Sequence, residues 1–347
     1  MEKKKAGIIG ATGYAGAELL RLLLTHPDVE VAAISSVSYE GQEMAEVYRN
    51  FLGRLNMVLT DQDDVIAKSD VIFASLPHGL CEEIGAKCVE QGKILIDLGA
   101  DFRLSKAEDY EKWYGLSYRR PELHEKAAYC IPELHRRRLT SSISIIGNPG
   151  CYPTSIALGL APAAQAGKIV GNSVIIDSKS GVTGAGRGLT LGSHYPECNE
   201  AFSAYKVAAH RHTPEIEQTL SELLGEPAAV TFVPHLLPVN RGIISTIYAT
   251  LTEEISAEAM HALYTDFYQD EPFVRVLPLG VSADIKNVKY SNYCDLSIFI
   301  DPRTHRLIVV SAIDNMVKGA AGQAIQNMNI RCGFAEDAGI RFIPPAF

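Results

Sequence analysis

A single cysteine in the stretch GNPGCYPTSIALG stands where the sequence pattern changes from strand to helix. Asn148, Pro149 and Gly150 interrupt the preceding apolar run, and Pro153 suits the first turn of a helix because it has no N–H to lose. The dipole and the unpaired amides of a helix N-terminus stabilise a thiolate and hold the oxyanion of a tetrahedral intermediate. This position predicts that Cys151 is a nucleophile.

The alternative for any cysteine is a small, buried, inert side chain. The chain has seven cysteines, an odd number without a CxxC pair, which suits reduced thiols better than a disulfide framework. The inert interpretation is assigned to Cys81, Cys88, Cys130 and Cys332.

Two histidines in HRHTPEIEQTL are the candidates for proton transfer. Thr213 is expected to cap a helix that begins at Pro214, so His210 and His212 precede its positive end, which favours neutral imidazole. Neutral imidazole is the form that a general base or acid requires. Alternating histidines also occur in zinc sites, but no third ligand is evident nearby. No metal site is therefore predicted, and a plain surface pair stays open.

Two further segments carry groups suited to an anionic substrate. The glycine-rich SKSGVTGAGRG at 178–188 offers backbone amides together with Lys179 or Arg187. DLGADFRL contains Arg103, whose paired N–H groups suit a carboxylate or phosphate. A flexible loop and a surface ion pair are the respective alternatives.

The elements that position this chemistry begin with a glycine turn. AGIIG at 6–10 has the pattern of an apolar strand, GATGYAG follows, and AELLRLLLTHP is an amphipathic helix closed by Pro27. Gly10 permits the tight turn, Gly13 the close approach of a pyrophosphate, and Gly16 the packing of helix against strand. Because amides at the helix N-terminus bind phosphates, a dinucleotide site is predicted in preference to a purely structural turn.

The second strand, expected at 29–36, ends in hydroxyl side chains where an NAD site usually carries Asp or Glu. Ser35, Ser36 and Ser38 leave room for a 2′-phosphate, which favours NADP. Further parallel strands are expected at 70–77, 94–101 and 142–148, with a helix over 80–92. This alternation predicts a doubly wound, Rossmann-type α/β domain that ends near residue 148.

The second half of the chain predicts an α+β domain. Strand patterns bounded by Gly, Pro and polar turns occupy 172–182, 229–238, 241–252, 295–301 and 306–314. DPRTH is expected to join the last two as a hairpin loop, in a mixed or antiparallel sheet with helices on one face. A final helix over 315–330 is expected to return to the first domain and close the cofactor cleft.

Length and composition agree with two globular domains. The chain has 347 residues, a net charge of -9 and a pI near 5.6, which argues against nucleic acid as a partner. No apolar run approaches the roughly 20 residues of a membrane span, and the N-terminus lacks the apolar region of a signal peptide. A cytoplasmic protein that binds neither membrane nor nucleic acid is expected.

These motifs make the sequence resemble the N-acetyl-gamma-glutamyl-phosphate reductases of arginine biosynthesis. The likeness covers nearly the whole chain through GATGYAG, SLPHG, DLGADFRL, GNPGCYPT, SGVTGAGR, HRHTPEI, PHLLPVNRGI and NMVKGAAGQAIQNMN. It implies a fold similar to that of aspartate-semialdehyde and glyceraldehyde-phosphate dehydrogenases. Residues 1–148 are then an NADP domain completed by 316–347, and residues 149–315 are a catalytic and oligomerisation domain.

The resemblance also implies an NADP(H)-dependent reductive dephosphorylation of an acyl phosphate by a homo-oligomer, a dimer or a tetramer. The Cys151 thiolate attacks N-acetyl-glutamyl 5-phosphate, phosphate leaves, and NADPH reduces the thioester to a thiohemiacetal that collapses to the semialdehyde. The acid–base histidine belongs to the HxH pair, with His210 slightly favoured over His212. Glu215 is expected to orient it.

The remaining predicted site residues form two groups. Those for the carboxylate and phosphate of the substrate are Arg103, Asn148, Ser180, Gly181 and Arg187. Those for the cofactor are Gly10, Thr12, Gly13, Tyr14, Gly16, Ser36, Ser38, Pro77, His78, Asn315 and Lys318. A packing role for His78 is the alternative.

Three rival functions share parts of this pattern. A sister reductase acting on aspartyl phosphate or on a lysine-pathway acyl phosphate has the same fold and nucleophile. A non-catalytic NADP-binding regulator does not need the cysteine and the histidines. A thiol acyltransferase without redox chemistry leaves the glycine turn unexplained.

Overall fold

A computed structural model of the chain describes residues 2–346, which divide into two compact units. The first unit comprises the described residues up to Pro149 together with Ala320–Arg341. The second comprises Gly150–Gly319 with the described residues 342–346. The expected units differ from these at residues 149, 316–319 and 342–346, and the domain bounds stay a prediction.

Strands and helices alternate in the first half of the chain, and strands dominate the second. The strands are β1 (Lys4–Ile9), β2 (Val29–Ser35), β3 (Val71–Ala74), β4 (Ile94–Asp97), β5 (Ala127–Tyr129), β6 (Ile145–Gly147), β7 (Ile175–Gly181), β8 (Ser203–Ala204), β9 (Thr231–Leu237), β10 (Ile243–Thr250), β11 (Val274–Val276), β12 (Cys294–Asp301) and β13 (Arg306–Ile313). The α-helices are α1 (Tyr14–Leu23), α2 (Met44–Val47), α3 (Gln62–Lys68), α4 (Cys81–Glu90), α5 (Ala107–Tyr114), α6 (Pro121–His124), α7 (Pro132–His135), α8 (Cys151–Gln165), α9 (Tyr195–Cys198), α10 (Thr213–Leu224), α11 (Ala257–Tyr268) and α12 (Gly322–Cys332).

Within the described residues, the first unit contains a six-stranded parallel sheet in the order β2-β1-β3-β4-β6-β5. The strand order reverses at β1, so right-handed crossovers place their helices on opposite faces, and a ligand crevice opens at the carboxyl end of β1. The predicted doubly wound α/β class is confirmed. The edge strand β5 was not predicted because three residues show no periodicity.

Apolar side chains of the first sheet pack against α3 and α4 in one buried cluster, which includes Ile9, Ile72 and Leu95. Each such side chain contributes roughly 1.5–3 kcal/mol by burial. Cys81 and Cys88 belong to the same cluster, and burial raises the pKa of the Cys88 thiol to about 12. The buried interpretation of these two cysteines is confirmed.

The other two cysteines assigned to the core differ from each other. Cys130 is fully buried, as expected, and burial raises the pKa of its thiol. Cys332, at the end of α12, is only half-buried.

No helix in the described part of the chain has the length and apolar character needed to cross a bilayer.

The second unit contains, within the described residues, a seven-stranded mixed sheet in the order β11-β12-β13-β10-β7-β9-β8. The pairs β7–β9 and β11–β12 are parallel, and the others are antiparallel. The five strands predicted here are present, and the predicted hairpin joins β12 to β13. The short strands β8 and β11 were not predicted because they are too short to show alternation.

A buried network of serines fixes α8 on this sheet. The Ser155 hydroxyl of α8 lies within hydrogen-bond distance of the hydroxyls of Ser245 on β10 (3.1 Å) and Ser311 on β13 (3.0 Å), and the Ser178 hydroxyl of β7 lies 2.7 Å from that of Ser245. All four side chains are buried. Because Cys151 precedes Ser155 by four residues, the two lie on one face of the helix, and the network sets the position of Cys151 along the helix axis.

Two helix boundaries in the second half differ from expectation. The cap of α10 is His212, and Thr213 is its first residue, so Pro214 occupies the second position, where its missing N–H is equally harmless. The final helix, expected over 315–330, begins as a π-helical turn at Val317–Ala321 and continues as α12. Such π turns occur frequently at functional sites.

Candidate active site

The glycine turn after β1 follows the steric roles expected of two of its glycines. Gly10 has φ +84°, and a Cβ there would lie 2.3 Å from the carbonyl oxygen of Ser75. A Cβ on Gly16 would lie 2.2 Å from the carbonyl oxygen of Gly10. At Gly13 the nearest atom to such a Cβ is 3.5 Å away, which is ordinary contact. The chain itself therefore does not demand glycine at position 13, which fits a requirement imposed by a ligand.

The N-terminus of α1 faces the same turn. Gly13 caps the helix with extended backbone, and Tyr14, whose side chain is exposed, is its first residue. First-turn amides have no acceptor within their own helix and carry the positive end of its dipole. Placed at the crevice of a doubly wound sheet, this end is an anion-binding site of the kind that holds a pyrophosphate.

Hydroxyl groups at the end of β2 meet the glycine turn. The Ser36 and Thr12 hydroxyl oxygens lie 2.7 Å apart, and both residues are buried. The Tyr48 hydroxyl donates to the carbonyl oxygen of Thr12 at 3.1 Å. Ser38, in contrast, is exposed. The structure therefore brings Thr12 and Ser36 together and leaves Ser38 at the surface.

The SLPHG loop after β3 is held by a carboxylate that was not predicted. Asp101 accepts hydrogen bonds from the amides of Gly79 (2.8 and 2.9 Å) and Cys81 (2.9 Å). His78 lies edge-on to Tyr114, with ring centroids 5.0 Å apart. Asp101 fixes the loop, and its signal in the sequence was its place directly after β4, where parallel strands present ligands.

Arg103 and Asn148 support the main chain of the first unit, and their role in substrate binding stays a prediction. The Arg103 guanidinium donates to the carbonyl oxygens of Asn148 (2.8 Å) and Leu98 (2.7 Å). The Asn148 amide donates to the carbonyl oxygen of Ala320 (3.2 Å) and accepts from the Asn327 side chain (3.1 Å). Both Arg103 and Asn148 are buried. Because buried polar groups need hydrogen-bond partners, these two side chains bond to groups inside the domain.

Cys151 lies at the start of α8 in the second unit, as predicted. Gly150, with φ -70° and ψ 157°, is the N-cap, and Cys151 is the first helical residue. The cysteine is half-buried. Gly319, in the π-helical turn, approaches it closely, since a Cβ on Gly319 would lie 2.7 Å from the Cys151 Cβ. The helix start, rather than the core, is confirmed as the place of this cysteine.

Glu215 contacts the residue that precedes the nucleophile. It is the third residue of α10, its side chain is fully buried, and its Oε1 accepts a hydrogen bond of 2.7 Å from the Gly150 amide. This oxygen therefore bonds the N-cap of the Cys151 helix. The expectation that Glu215 orients a histidine stays a prediction.

Aromatic side chains surround the histidine pair. The His210 ring centroid lies 5.5 Å from that of Tyr152, 5.6 Å from Tyr205, 5.4 Å from Phe232 and 4.9 Å from His212. The Tyr152 and Tyr205 hydroxyls are 3.0 Å apart. The two tyrosines were not predicted, although Tyr152 directly follows the cysteine in the sequence. They form an apolar wall with polar tips next to both candidate acid–base residues.

The neutral state expected for His210 is supported, but by a different cause. Burial lowers the pKa of His210 to about 4, with contributions from Lys206 and Arg211, so burial outweighs the helix dipole that the sequence suggested. The His212 amide donates to Nδ1 of His210 at 3.1 Å. A neutral His210 therefore carries its proton on Nε2. Burial also raises the pKa of Tyr205 to about 12.

Asn315 and Lys318 are buried residues of the second unit, and the expectation that they approach a cofactor stays a prediction. The Asn315 side chain accepts from the Gly242 amide (2.8 Å) and donates to the Thr183 hydroxyl (3.0 Å). Lys318 is fully buried, with its ammonium 5.8 Å from the Phe273 ring centroid. Asn315 thus ties the glycine-rich loop to the end of β10, and Lys318 stabilises the interior by a cation–π contact.

The glycine-rich loop retains one of its two predicted cations at the surface. The ammonium of Lys179 lies 2.9 Å from Asp177, so it is committed to an ion pair. Arg187 is exposed. Ser180 is buried and donates to the carbonyl oxygen of Gly181 at 3.0 Å. Lys179 and Arg187 both stay candidates for an anionic substrate.

Arg241 is a cation that the sequence analysis missed. Its guanidinium lies 3.5 Å from the buried carboxylate of Asp314 and 4.8 Å from the ring centroid of Tyr290. A Cβ on Gly181 would lie 2.8 Å from the Arg241 amide nitrogen, so the glycine-rich loop passes directly beside it. The motif PVNRGI was quoted for its resemblance alone, and only the folded chain shows this arginine fixed beside the loop.

Comparisons with known proteins agree with this division into units. Residues 5–142 match the family model described as semialdehyde dehydrogenase, NAD binding domain, and residues 151–315 match semialdehyde dehydrogenase, dimerisation domain. An N-acetyl-gamma-glutamyl-phosphate reductase of Clostridium botulinum is 57% identical over 343 residues, which is 99% of either chain. One of Brachyspira hyodysenteriae is 57% identical over 350 residues, again 99% of either chain.

Solved structures show the same fold at low identity. Aspartate semialdehyde dehydrogenase II of Vibrio cholerae has a TM-score of 0.75 and 15% identity, and covers 96% of this chain and 99% of its own. An aspartate semialdehyde dehydrogenase with NADP from Candida albicans has a TM-score of 0.67 and 16% identity, and covers 95% of this chain and 98% of its own. The predicted fold type is confirmed.

Proposed function

The chain belongs to the N-acetyl-gamma-glutamyl-phosphate reductase family of semialdehyde dehydrogenases, and we propose that it reduces N-acetyl-L-glutamyl 5-phosphate with NADPH. The products are N-acetyl-L-glutamate 5-semialdehyde, phosphate and NADP, in a step of L-arginine biosynthesis. The observation that carries this proposal is 57% identity to reductases of that name over 99% of both chains.

Cys151 performs the covalent chemistry. Its sulfur attacks the acyl carbon, a carbon–sulfur bond forms, and the bond from that carbon to the phosphate oxygen breaks. NADPH, when bound, supplies the hydride that reduces the thioester. The carbon–sulfur bond of the resulting thiohemiacetal then breaks and returns the thiolate. The position of Cys151 at the first residue of α8 supports this role, because first-turn amides stabilise both the thiolate and the oxyanion.

The histidines divide the proton transfers between them. Nδ1 of His210 is occupied by the His212 amide, so neutral His210 presents an Nε2–H donor. This donor suits the carbonyl oxygen as it gains negative charge. His212, the cap residue of α10, is the second candidate and the one to receive a proton.

The first unit has the features needed for NADP(H). Gly13 and the first-turn amides of α1 bind the pyrophosphate, and the paired hydroxyls of Thr12 and Ser36 lie where an NAD site usually has a carboxylate. A 2′-phosphate is therefore not repelled. A structural neighbour with 16% identity contains NADP, which is consistent with this preference.

A substrate with a carboxylate and a phosphate needs cations. Arg187 on the glycine-rich loop and Arg241 beside it are the arginines of the second unit that fit this need. Arg103, also expected to bind an anion, donates to main-chain carbonyl oxygens of the first unit.

The protein acts as a homo-oligomer in the cytoplasm. Residues 151–315 match a dimerisation domain. Buried and half-buried residues alternate along β10, so one face of the sheet, called here the uncovered face, is the less buried of the two. On the uncovered face Tyr248 lies between Ile175 and Ile308, an apolar row suited to a second copy. No disulfide joins the seven cysteines, all of which are described, which fits a reducing compartment.

The decisive experiment is a substrate panel with the purified protein. The reverse reaction, phosphate-dependent oxidation, is measured for N-acetylglutamate semialdehyde and aspartate semialdehyde, each with NADP and with NAD. We expect the highest kcat/KM for N-acetylglutamate semialdehyde with NADP. Faster turnover of aspartate semialdehyde refutes the substrate, and a preference for NAD refutes the assignment of the hydroxyl pair.

A Cys151→Ser variant is the control for the mechanism. It should bind NADPH as the wild type does and give no turnover, because a serine hydroxyl at this position is not ionised at neutral pH. Unchanged turnover would remove Cys151 from the reaction. Retained activity with a different acyl acceptor and no NADPH consumption would favour an acyltransferase.

A further inference from the structure

The turn that carries the nucleophile is capped from a distant helix. In a capping box, a carboxylate at the third helical position bonds the amide of the N-cap residue. In α8 that position is Pro153, which has no carboxylate, and the N-cap amide of Gly150 is instead bonded by Glu215 of α10 at 2.7 Å. The two residues are 65 positions apart, so the tertiary fold supplies a cap that the helix itself lacks.

Glu215 is held rigidly. It lies in the first turn of α10, where Pro214 restricts the backbone, and its side chain is fully buried. Its own carbonyl oxygen accepts a hydrogen bond from Thr219 at 3.2 Å, within the same helix. A buried carboxylate is costly unless it is hydrogen-bonded, and here it lies at the N-terminal ends of two helices, whose dipoles favour negative charge.

Gly150 is therefore fixed at both of its polar groups. Its amide donates to Glu215, and its carbonyl oxygen accepts from the Thr154 amide (3.0 Å) and the Thr154 hydroxyl (2.9 Å). Cys151, the next residue, is further confined by Gly319, which leaves no room on that side. The hydrogen bond that Glu215 accepts therefore ties this turn to α10, a helix distant in the sequence.

We propose that Glu215 is a positioning residue for Cys151: through the Gly150 amide it fixes the start of α8 and so aims the thiol and the first-turn amides at the acyl carbon. The inference rests on the proposed function for its effect on rate. Its effect on the thiol itself is measurable without any substrate.

The charge of Glu215 and its hydrogen bond act in opposite directions on the nucleophile. A carboxylate close to Cys151 opposes formation of a thiolate. The hydrogen bond orders the amides that stabilise the same thiolate. Glu215→Gln removes the charge and keeps an oxygen acceptor for the Gly150 amide, whereas Glu215→Ala removes both. Comparison of these two variants therefore isolates the hydrogen bond.

The experiment follows alkylation of Cys151 by iodoacetamide at pH 7.5 in the full-length protein, quantified on the Cys151 peptide by mass spectrometry. Glu215→Gln should react at least as fast as the wild type, and Glu215→Ala about fivefold or more slowly than Glu215→Gln. In the semialdehyde assay, kcat should fall about a hundredfold in Glu215→Ala and stay within about fivefold of the wild type in Glu215→Gln, with KM for NADP unchanged in both.

Glu217→Ala is the matched control. Glu217 lies on the same helix, and its Oε1 accepts from the Val230 amide at 3.1 Å, so the variant loses a similar bond away from the cysteine. It should leave both alkylation and kcat unchanged. Glu215→Asp, whose carboxylate is one methylene shorter, replaces Glu215→Ala if the latter does not fold, and should likewise react more slowly than Glu215→Gln.

Equal alkylation rates for Glu215→Gln and Glu215→Ala, or for Glu215→Gln and Glu215→Asp where the latter is used, would overturn the proposal. So would a full kcat in Glu215→Ala. If the wild type does not oxidise N-acetylglutamate semialdehyde, the proposed function fails, and the alkylation rates still decide the role of Glu215.

Discussion

The imidazole of His210 lies among aromatic rings that exclude water and beside two cations. Burial, then Lys206 and Arg211, lower its pKa to about 4. At neutral pH the residue is therefore a neutral hydrogen-bond donor through Nε2, and its ionisation falls well below the usual histidine range. The same lowered pKa therefore affects both the stability of the fold at acid pH and the proposed proton transfer by His210.

A pH-dependent loss of stability follows from His210. In the unfolded chain its pKa is about 6.5. Above pH 6.5 His210 is neutral in both the folded and the unfolded state. Between pH 6.5 and about 4 the unfolded state binds a proton that the folded state does not bind. The free energy of unfolding therefore falls as the pH is lowered through this window. At pH 5.0 the wild type should have lost about 2 kcal/mol of unfolding free energy that a His210→Gln variant retains.

Urea unfolding at pH 7.5 and 5.0 measures this difference. His194→Gln, which replaces an exposed histidine, is the control and should follow the wild type at both pH values. An identical loss in wild type and His210→Gln would show that the folded-state pKa is not lowered.

At the scale of elements, the register of α8 on the sheet decides where the nucleophile lies. The hydroxyl network of Ser155, Ser178, Ser245 and Ser311 is buried and joins α8 to three strands of the sheet. Hydrogen bonds are directional, so this network specifies one axial position of the helix, whereas apolar contacts alone tolerate sliding.

Ser155→Ala should lower the free energy of unfolding by about 1–3 kcal/mol, because buried hydroxyls on β10 and β13 lose a donor. Denaturant unfolding at pH 7.5 checks this value. Ser203→Ala, at an exposed position in β8, is the control and should change stability by less than about 0.5 kcal/mol. No loss in Ser155→Ala would mean that packing alone holds the helix.

The π-helical turn that precedes α12 is the second element that acts on the nucleophile. The Asp314 carboxylate accepts hydrogen bonds from the amides of Met316 (2.7 Å) and Val317 (3.1 Å). These bonds fix the start of the turn. Gly319 then passes so close to Cys151 that no side chain fits between them.

Gly319→Ala should reduce kcat about tenfold or more, because its new Cβ would lie 2.7 Å from the Cys151 Cβ and one of the two must move. Steady-state kinetics in the semialdehyde assay give kcat, and a fluorescence titration checks that NADPH affinity is retained. Gly192→Ala is the control, since a Cβ there meets no atom within 4 Å. A wild-type kcat in Gly319→Ala would show that the π-helical turn moves to accept the new Cβ while the Cys151 sulfur keeps its position.

At the scale of the whole molecule, the sheet of the second unit is less buried on one face of β10 than on the other. Alternate residues of β10 are buried under α8, and the residues between them, including Thr246 and Tyr248, are half-buried on the other side. The proposed self-association uses this face, and it leaves the two compact units of each chain intact.

Tyr248→Glu should convert the oligomer to a smaller species, because a two-fold interface brings equal charges together at the same surface. Size-exclusion chromatography with light scattering measures the mass. Leu52→Glu, an equally drastic change at a residue that is 74% exposed in the first unit, should leave the mass unchanged. An unchanged mass in Tyr248→Glu would place the interface elsewhere.

Features that depend on neighbours in the chain were accessible from the sequence. The glycine turn, the start of α8 and the five longer strands of the second sheet follow from steric and periodic rules that act over a few residues. The nucleophile was identified because its type and its place at a helix start are both local properties. The strands missed, β5, β8 and β11, are too short to carry a pattern.

The amino-acid sequence by itself determined the order of elements, the family and the place of Cys151 at a helix start, since these depend on local backbone preferences and side-chain types. Tertiary structure decided which polar groups became internal supports. Arg103, Asn148 and Lys318 are buried inside the chain, and Glu215 bonds a glycine 65 residues away. Burial and long-range pairing arise only when distant segments pack. A polar group that is removed from water needs a hydrogen-bond partner, and the tertiary fold decides which partner is near it.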